Sequence, residues 1–382
     1  MRQHTNLGCD VTEVSRISKK DAMSRKEYLR NQKNSLGRHI FGVFPAYYPK
    51  EIVWSFNALP VEIWDPPLRI SQAQAHLQPY ICPVVKSGLE MVLRGDDGLL
   101  DGFIFPHTCD SMQNLASLVS DLIKPHKACH FFYHPKAPYR DASRGYYLSQ
   151  LKALAASLEK QLGAFRIEAL VDRVRQSRTI TRLVNQLYQD RAKGRLRASA
   201  AQFYQTLRRG EFLWPEDYIL ELEALSAGNS GESDDRGLSV ILSGVMPVPG
   251  AILNLLDNLQ VRVGHDDLMI SRRRFPVAQT ELDDPFEQLT ADYFLLPPCP
   301  TRGSSIAQRR DYLLKLVAEA EAGGVIFLMM KFCEPEWFDV PLLQEELKKR
   351  KIPSLIIDTE PGPELSGQAV TRVEAFIEMI TR

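Results

Sequence analysis

The chain has 382 residues, 44% hydrophobic and 25% charged, enough apolar content to bury more than one core. Lysine plus arginine equal aspartate plus glutamate at 47 each, so no net field draws the chain onto nucleic acid or an anionic membrane. No run approaches the roughly 20 apolar residues that cross a bilayer, and the first residues lack the apolar centre of a secretory signal, which points to the cytoplasm.

Residues 1–16 are expected to be poorly ordered, and 17–36 to form a polar helix ending near Gly37. Short apolar segments then alternate with helical ones. "HIFGVFP" reads as a strand, "PKEIVWSFNA" as a helix, and "LPVEIW" as a second strand closed by Asp65, Pro66 and Pro67. Helices are expected at 70–79 and 83–95, then the strand "GFIFP" at 102–106, a helix from 110 to about 123, and the strand "ACHFFYH" at 128–134.

Residues 141–226 carry apolar positions at three-and-four spacing with almost no strand signal, which marks a helical segment. "SAGNSGESDDRG" (226–237) is polar and rich in glycine and serine, as linkers are. The alternation then resumes with strand "LSVILSG", helix 249–258, strand "VRVG", and helices 286–294 and 305–322. Strand "GVIFLMM", helix 336–350, strand "SLIIDTE" and helix 365–381 complete the chain. Strands separated by helices pair in parallel through crossovers. The expected architecture is therefore α/β, with two small parallel-sheet lobes of Rossmann or flavodoxin type and an intervening helical segment. Its parts are a tail and helix (1–37), a first lobe (38–140), the helical segment (141–226) and a second lobe (237–382).

The cysteines carry the chemistry. Reducing pools keep cytoplasmic thiols free, so the six (Cys9, Cys82, Cys109, Cys129, Cys299, Cys333) are core packing, metal ligands or reactive thiols. Cys109 and Cys333 each follow a strand and precede a helix, and Cys82 precedes a helix opening with Pro83. In open parallel sheets ligands collect at the carboxyl ends of strands. A thiol at a helix start faces unpaired amides and the positive dipole end, which favours the thiolate that binds iron or zinc. Three such loops can converge on one metal site, although no local spacing such as C-x2-C requires it and buried packing is open to each. Cys129 falls inside a strand, Cys299 in the proline-rich loop "LLPPCPTRGSS", and Cys9 in the N-terminal tail.

His107, two residues from Cys109, can donate a hydrogen bond or act as an acid, or simply pack. "SGVMPVPGAI" (243–252) is a strand-to-helix turn able to receive a phosphate or acyl group, or to serve as a connector. There is no GxxxxGK[ST], no GxGxxG after a strand, no G-x-S-x-G and no HExxH, which removes the usual signatures of P-loop ATP binding, dinucleotide binding, hydrolase and zinc-protease chemistry.

The segments "FPAYYPKEIVWSFNALPV", "YICPVVKSGLEMVL", "GFIFPHTCDSMQNL" and "MMKFCEPEWFDVPLLQEELKKRKIPSLIIDTE" closely resemble the 2-hydroxyacyl-CoA dehydratase and benzoyl-CoA reductase family, in particular its D-component subunits. The resemblance spans about residues 38–382 and is nearest to the smaller subunits of the benzoyl-CoA reductase type. It implies one 4Fe-4S cluster on Cys82, Cys109 and Cys333, with one iron left open to water, sulfide or a substrate oxygen. It further implies a homologous second subunit and a separate ATP-hydrolysing iron-sulfur activator. The implied substrate is an acyl-CoA or aromatic-CoA thioester, reduced to a ketyl or aryl radical, in either the dehydratase (lyase) or the reductase branch.

Around such a cluster, His107, Tyr47 and Ser87 are candidate pocket residues, and Lys331 is a candidate to offset its negative charge. The chain departs from the family where many relatives carry alanine-alanine-glycine after the first strand: Ser55-Phe56-Asn57 stands there and is expected to narrow the pocket. Double-cubane relatives have an extra cysteine after the second lobe's first strand, where this chain has Met246, so a single cluster is expected. Two other readings are a non-catalytic or electron-relay partner subunit, and a metal-free α/β binding module.

Overall fold

In a computed structural model, which describes residues 24–229, 237–278, 280–360 and 365–381, the apolar runs of the first lobe become four parallel strands. These are β1 (His39–Val43), β2 (Ala58–Glu62), β3 (Gly102–Pro106) and β4 (Ala128–Phe132), in the order β2-β1-β3-β4. The second sheet comprises β5 (Ser239–Gly244), β6 (Arg262–Leu268), β7 (Gly324–Met330) and β8 (Ser354–Thr359), in the matching order β6-β5-β7-β8. Both reproduce the first four strands of the flavodoxin-like arrangement, as the strand and helix alternation implied. Every residue of β2, β3, β5 and β7 is buried, because helices cover both faces of each sheet.

The first lobe holds α1 (Arg25–Asn34), α2 (Lys50–Ser55), α3 (Pro83–Arg94) and α4 (Asp110–Ser117), the last continued by a π-helical turn from Leu118 to Ile123. Four helices follow: α5 (Ala142–Leu162), α6 (Ile167–Ala192), α7 (Ala200–Arg209) and α8 (Pro215–Asn229). The second lobe adds α9 (Gly250–Asn258), α10 (Pro285–Phe294), α11 (Ile306–Glu319), α12 (Glu334–Lys349) and α13 (Gly367–Thr381).

The long helix α6 braces both lobes. Ser177 donates to Glu51 of α2, while Arg191 Nε donates to Val263 O of β6 at 2.6 Å. Further on, the segment after β4 lies along the 300–302 turn of the second lobe, where Ala137 N donates to Arg302 O at 2.7 Å.

Two expectations need correction. No helix fills 70–79; only a 3-10 turn forms at Ala73–Ala75. Glu90, buried in α3, accepts from the amides of Ser71, Gln72 and Ala73 and from Ser71 Oγ, and this wraps the chain round a carboxylate instead of letting those amides enter a helix. Strand β6 runs past "VRVG" through His265, Asp266 and Asp267 to Leu268, all buried. Polar residues inside a covered strand break the apolar pattern, but Asp266 accepts from Tyr188 Oη at 2.6 Å, Tyr204 Oη at 2.8 Å and Ser271 Oγ at 2.8 Å, which satisfies it. Helix α1 runs from Arg25, where Ser24 and Glu27 close a capping box, and residues 17–23, also expected to be helical, lie outside the described residues. The tail expected to be poorly ordered (1–16), Cys9 within it, and the linker residues 230–236 lie outside the described residues.

Candidate functional site

Cys109 and Cys333 occupy equivalent places in the two sheets. Each ends the loop leaving the third strand, β3 or β7, and is the N-cap residue of the next helix, α4 or α12. Those loops border the point where strand order reverses, where open α/β sheets form their crevice. Cys82 caps α3, which leads from β2 to β3. The matching helix of the second lobe, α11, is capped by Ser305 in a capping box with Gln308, so the thiols divide two to one between lobes.

The Cys333 loop is held under local strain. Phe332 has φ 61°, a left-handed conformation that costs a non-glycine residue about 1–3 kcal/mol and persists only where the surroundings impose it. Here Cys333 N donates to Met330 O at 3.1 Å, and Glu336, third residue of α12, accepts from Arg309 Nη2 at 2.8 Å and from Arg273. Arg273 is itself held by Asp267 at 2.6 Å. The polar end of β6 thus fixes the helix that carries Cys333.

All three cysteines join one apolar core, with Cys333 buried and Cys82 and Cys109 half-buried. Their ionisation runs against the expectation from helix starts. Burial pushes the Cys82 thiol up to about 11, and the nearby Cys109 adds to the shift. Cys333 is raised well above its ordinary value by burial, with Cys82, Glu336 and Cys109 contributing; Cys109 is raised by burial too. The amides of Val84 and Val85 at Cys82, Ser111 and Met112 at Cys109, and Glu336 at Cys333 favour the thiolates, but none closes a capping hydrogen bond and desolvation outweighs them. Cys333 therefore senses the charge of both other sulfurs, and Cys82 that of Cys109. Among the described residues, however, no three His, Cys, Asp or Glu side chains close on a single metal ion.

A cleft of about 780 Å³ opens beside Cys82 and Cys333, lined by Pro83, Ser87, Met246, Lys331 and Phe332. Two expected pocket residues, Ser87 and Lys331, thus share it, and Lys331 pairs with Glu360 there. His107 lies on the Cys109 loop with Nε2 3.9 Å from Asp110, its ring edge-on to Tyr133; burial, helped by Lys136, lowers its pKa.

Tyr47 is elsewhere. It lines a separate inter-lobe cavity of about 140 Å³, with φ 60° and a buried hydroxyl near Cys299. Ser55, Phe56 and Asn57 line neither cavity. They follow the far end of the short α2, where Phe56 packs against Phe165 and Asn57 leads into β2.

Of the other cysteines, Cys129 is half-buried on β4, at the sheet edge. Cys299 is fully buried, 3.2 Å from Thr301 Oγ1 and 3.8 Å from Arg273 Nη1. Sequence reasoning missed Lys136. It lies beyond β4, and its Nζ donates to Thr108 O at 2.8 Å and Thr301 O at 2.9 Å, next to Cys109. The signal "YHPKAP" gives no hint of this, since a lone lysine after a strand is ordinarily solvated.

Residues 45–380 match the family described as 2-hydroxyglutaryl-CoA dehydratase, D-component. The chain belongs to this D-component family. It is similar to the beta subunit of (R)-2-hydroxyglutaryl-CoA dehydratase from Acidaminococcus fermentans, 26% identical over 365 residues that cover 90% of this chain and 93% of that one. It is also similar to one of the subunits of benzoyl-CoA reductase from Thauera aromatica, 28% identical over 327 residues, covering 83% and 84%. The beta subunit of (R)-phenyllactyl-CoA dehydratase from Clostridium sporogenes is 23% identical over 363 residues, covering 93% and 95%. Both branches of chemistry are represented among the relatives of this D-component chain, at comparable identity. Among its described residues no helix is long and apolar enough to cross a membrane.

Proposed function

We propose that this D-component chain is the 4Fe-4S-holding subunit of an enzyme acting on a CoA thioester, with Cys82, Cys109 and Cys333 as the cluster's thiolate ligands. The observation that supports the proposal is that three helix-start thiols from two lobes belong to one apolar core, each raised in pKa by burial, with Cys333 sensing the other two. Left alone, such sulfurs stay protonated. A cationic iron-sulfur core supplies the positive charge that makes three buried thiolates tolerable, and binding then releases their protons.

Three cysteine thiols are the donor type that holds an iron-sulfur cluster. Zinc draws each thiolate to about 2.3 Å, which requires three sulfurs crowded round one point. No such closed group occurs among the described residues. When bound, the cluster supplies a low-potential electron and an open iron. The protein's part is to exclude water from the sulfurs, to aim helix-start amides at them, and to hold the cleft of about 780 Å³ open beside Ser87 and Lys331.

The relatives are named as subunits, which supports a homologous partner chain, and the lack of a GxxxxGK[ST] sequence supports a separate ATP-hydrolysing activator. The substrate is an acyl-CoA or aromatic-CoA thioester. His107 lies on the loop that carries Cys109. Tyr47 lines the other cavity, and its neighbour Ala46 donates to Thr108 beside Cys109.

The test is anaerobic purification of the full chain followed by iron and acid-labile sulfide assay. About four irons per chain are expected. Fewer than about one, after reconstitution with iron and sulfide, would rule the proposal out.

A further inference from the structure

We propose that Lys136 is the positioning residue of this site: it latches the Cys109 loop of the first lobe to the second lobe, and it is the positive charge set against the cluster. The electrostatic half rests on the cluster proposal above; the latch does not.

Three loops meet at this side chain. An ammonium has three donors, and two of them are spent on backbone carbonyls from different lobes, Thr108 O at 2.8 Å and Thr301 O at 2.9 Å. Thr108 in turn pins the loop leaving β1, since its Oγ1 accepts from Ala46 N at 3.0 Å and donates toward Pro45 O at 3.0 Å. Beside Lys136, Ala137 N donates to Arg302 O at 2.7 Å. A Cβ on Gly303 would lie 2.6 Å from Ala137 O, so the two backbones approach as closely as only glycine permits. Removing the lysine leaves the carbonyls of Thr108 and Thr301 without their donor at the joint next to Cys109.

The charge is similarly placed. Lys136 is close enough to Cys109 and Cys299 to sense both thiols. Asp110, the nearby carboxylate, is fully exposed, so water screens it. The other lysines at the site are engaged elsewhere: Lys331 with Glu360, and Lys86 with Pro79 O at 2.6 Å and the face of Phe332. A cation beside a cluster stabilises its more negative, reduced state, and so raises its reduction potential.

The experiment uses the full chain with Lys136→Met, which removes donors and charge, and Lys136→Gln, which keeps donors without charge. On the iron-free chain, amide hydrogen exchange is followed over residues 106–112 and 300–304. On the reconstituted chain, the cluster midpoint potential is measured by redox titration with paramagnetic resonance detection. Lys136→Met is expected to speed exchange at both segments at least tenfold, with Lys136→Gln less affected. Both variants are expected to shift the potential to more negative values. Wild-type exchange in Lys136→Met, or a wild-type potential in both variants, overturns the proposal. If the wild-type chain binds no iron, the cluster proposal has failed, and the exchange result alone decides the latch. If Lys136→Met does not fold, Lys136→Gln carries the potential measurement and its exchange must still exceed that of the wild type.

Discussion

Arg274 Nη1 donates to Glu62 Oε2 at 2.9 Å, so a guanidinium from the turn after β6 meets a carboxylate at the end of β2, and the pair joins the two lobes almost out of reach of water. Glu62 is fully buried and is further served by Lys50 Nζ at 3.0 Å, Tyr48 Oη at 3.1 Å and Trp64 Nε1 at 2.8 Å. Such a pair is weak evidence of net stability, but breaking it strands a charge. Arg274→Met is expected to lower the unfolding free energy by about 3–5 kcal/mol, read by urea denaturation at neutral pH. A loss below about 1 kcal/mol would mean that Lys50 alone suffices for Glu62.

Acid sensitivity follows from two buried carboxylates. Burial works against ionisation of Glu62, yet Arg274 and Lys50 outweigh it and hold the group at about 2, against an ordinary 4.5. Glu90 reaches about 2 through backbone donors at Ala73 and Ser71 together with Arg94, again against desolvation. A folded pKa below the unfolded one means that the unfolded chain takes up protons first as pH falls. The stabilisation is complete above about 4.5 and disappears as pH descends towards 2. Glu90→Gln should therefore be less stable than wild type at pH 7, and the difference should close by about pH 2. A gap independent of pH would refute the linkage.

Glu336 connects the polar strand end to the Cys333 helix. With Arg273 and Arg309 on either side, burial is outweighed and its carboxylate stays below the usual range. Glu336→Gln should destabilise the chain by about 3–5 kcal/mol and also lower iron retention, because α12 loses its anchor. Iron content unchanged at a measured loss of stability would show that Cys333 is positioned by its loop alone.

The cysteines should separate cleanly. Serine at Cys82, Cys109 or Cys333 is expected to leave the circular dichroism of the iron-free chain unchanged, since none of the three closes a capping hydrogen bond, and to cut iron per chain by more than half. Serine at Cys129, on the edge strand, should keep full iron. Iron retained in all three of the first set would exclude them as ligands.

Much of the architecture was legible because strand and helix periods are local. "GVIFLMM" and "GFIFP" are continuous apolar runs, and each became a strand covered on both faces. The reading failed where a distant partner satisfied a local irregularity. His265, Asp266 and Asp267 interrupt the apolar pattern of β6, and only tyrosines from α6 and α7, with Arg273, make that strand tolerable. Residues 70–79 have helical character, yet Glu90 from a later helix takes their amides. Cys82, Cys109 and Cys333 were found because helix starts after strands are visible in sequence. Lys136 was not, since its worth lies in carbonyls 28 and 165 residues away.

By itself, then, the sequence determined the succession of elements, the parallel sheets and the placing of three thiols at helix starts, all of which follow from hydrophobic period and proline position. Tertiary structure alone decided that these thiols join one apolar core and resist ionisation, that Tyr47 lines a different cavity, and that Glu62 and Lys136 join the lobes. Burial and charge pairing depend on what surrounds a group in space, and residues far apart along the chain supply those surroundings.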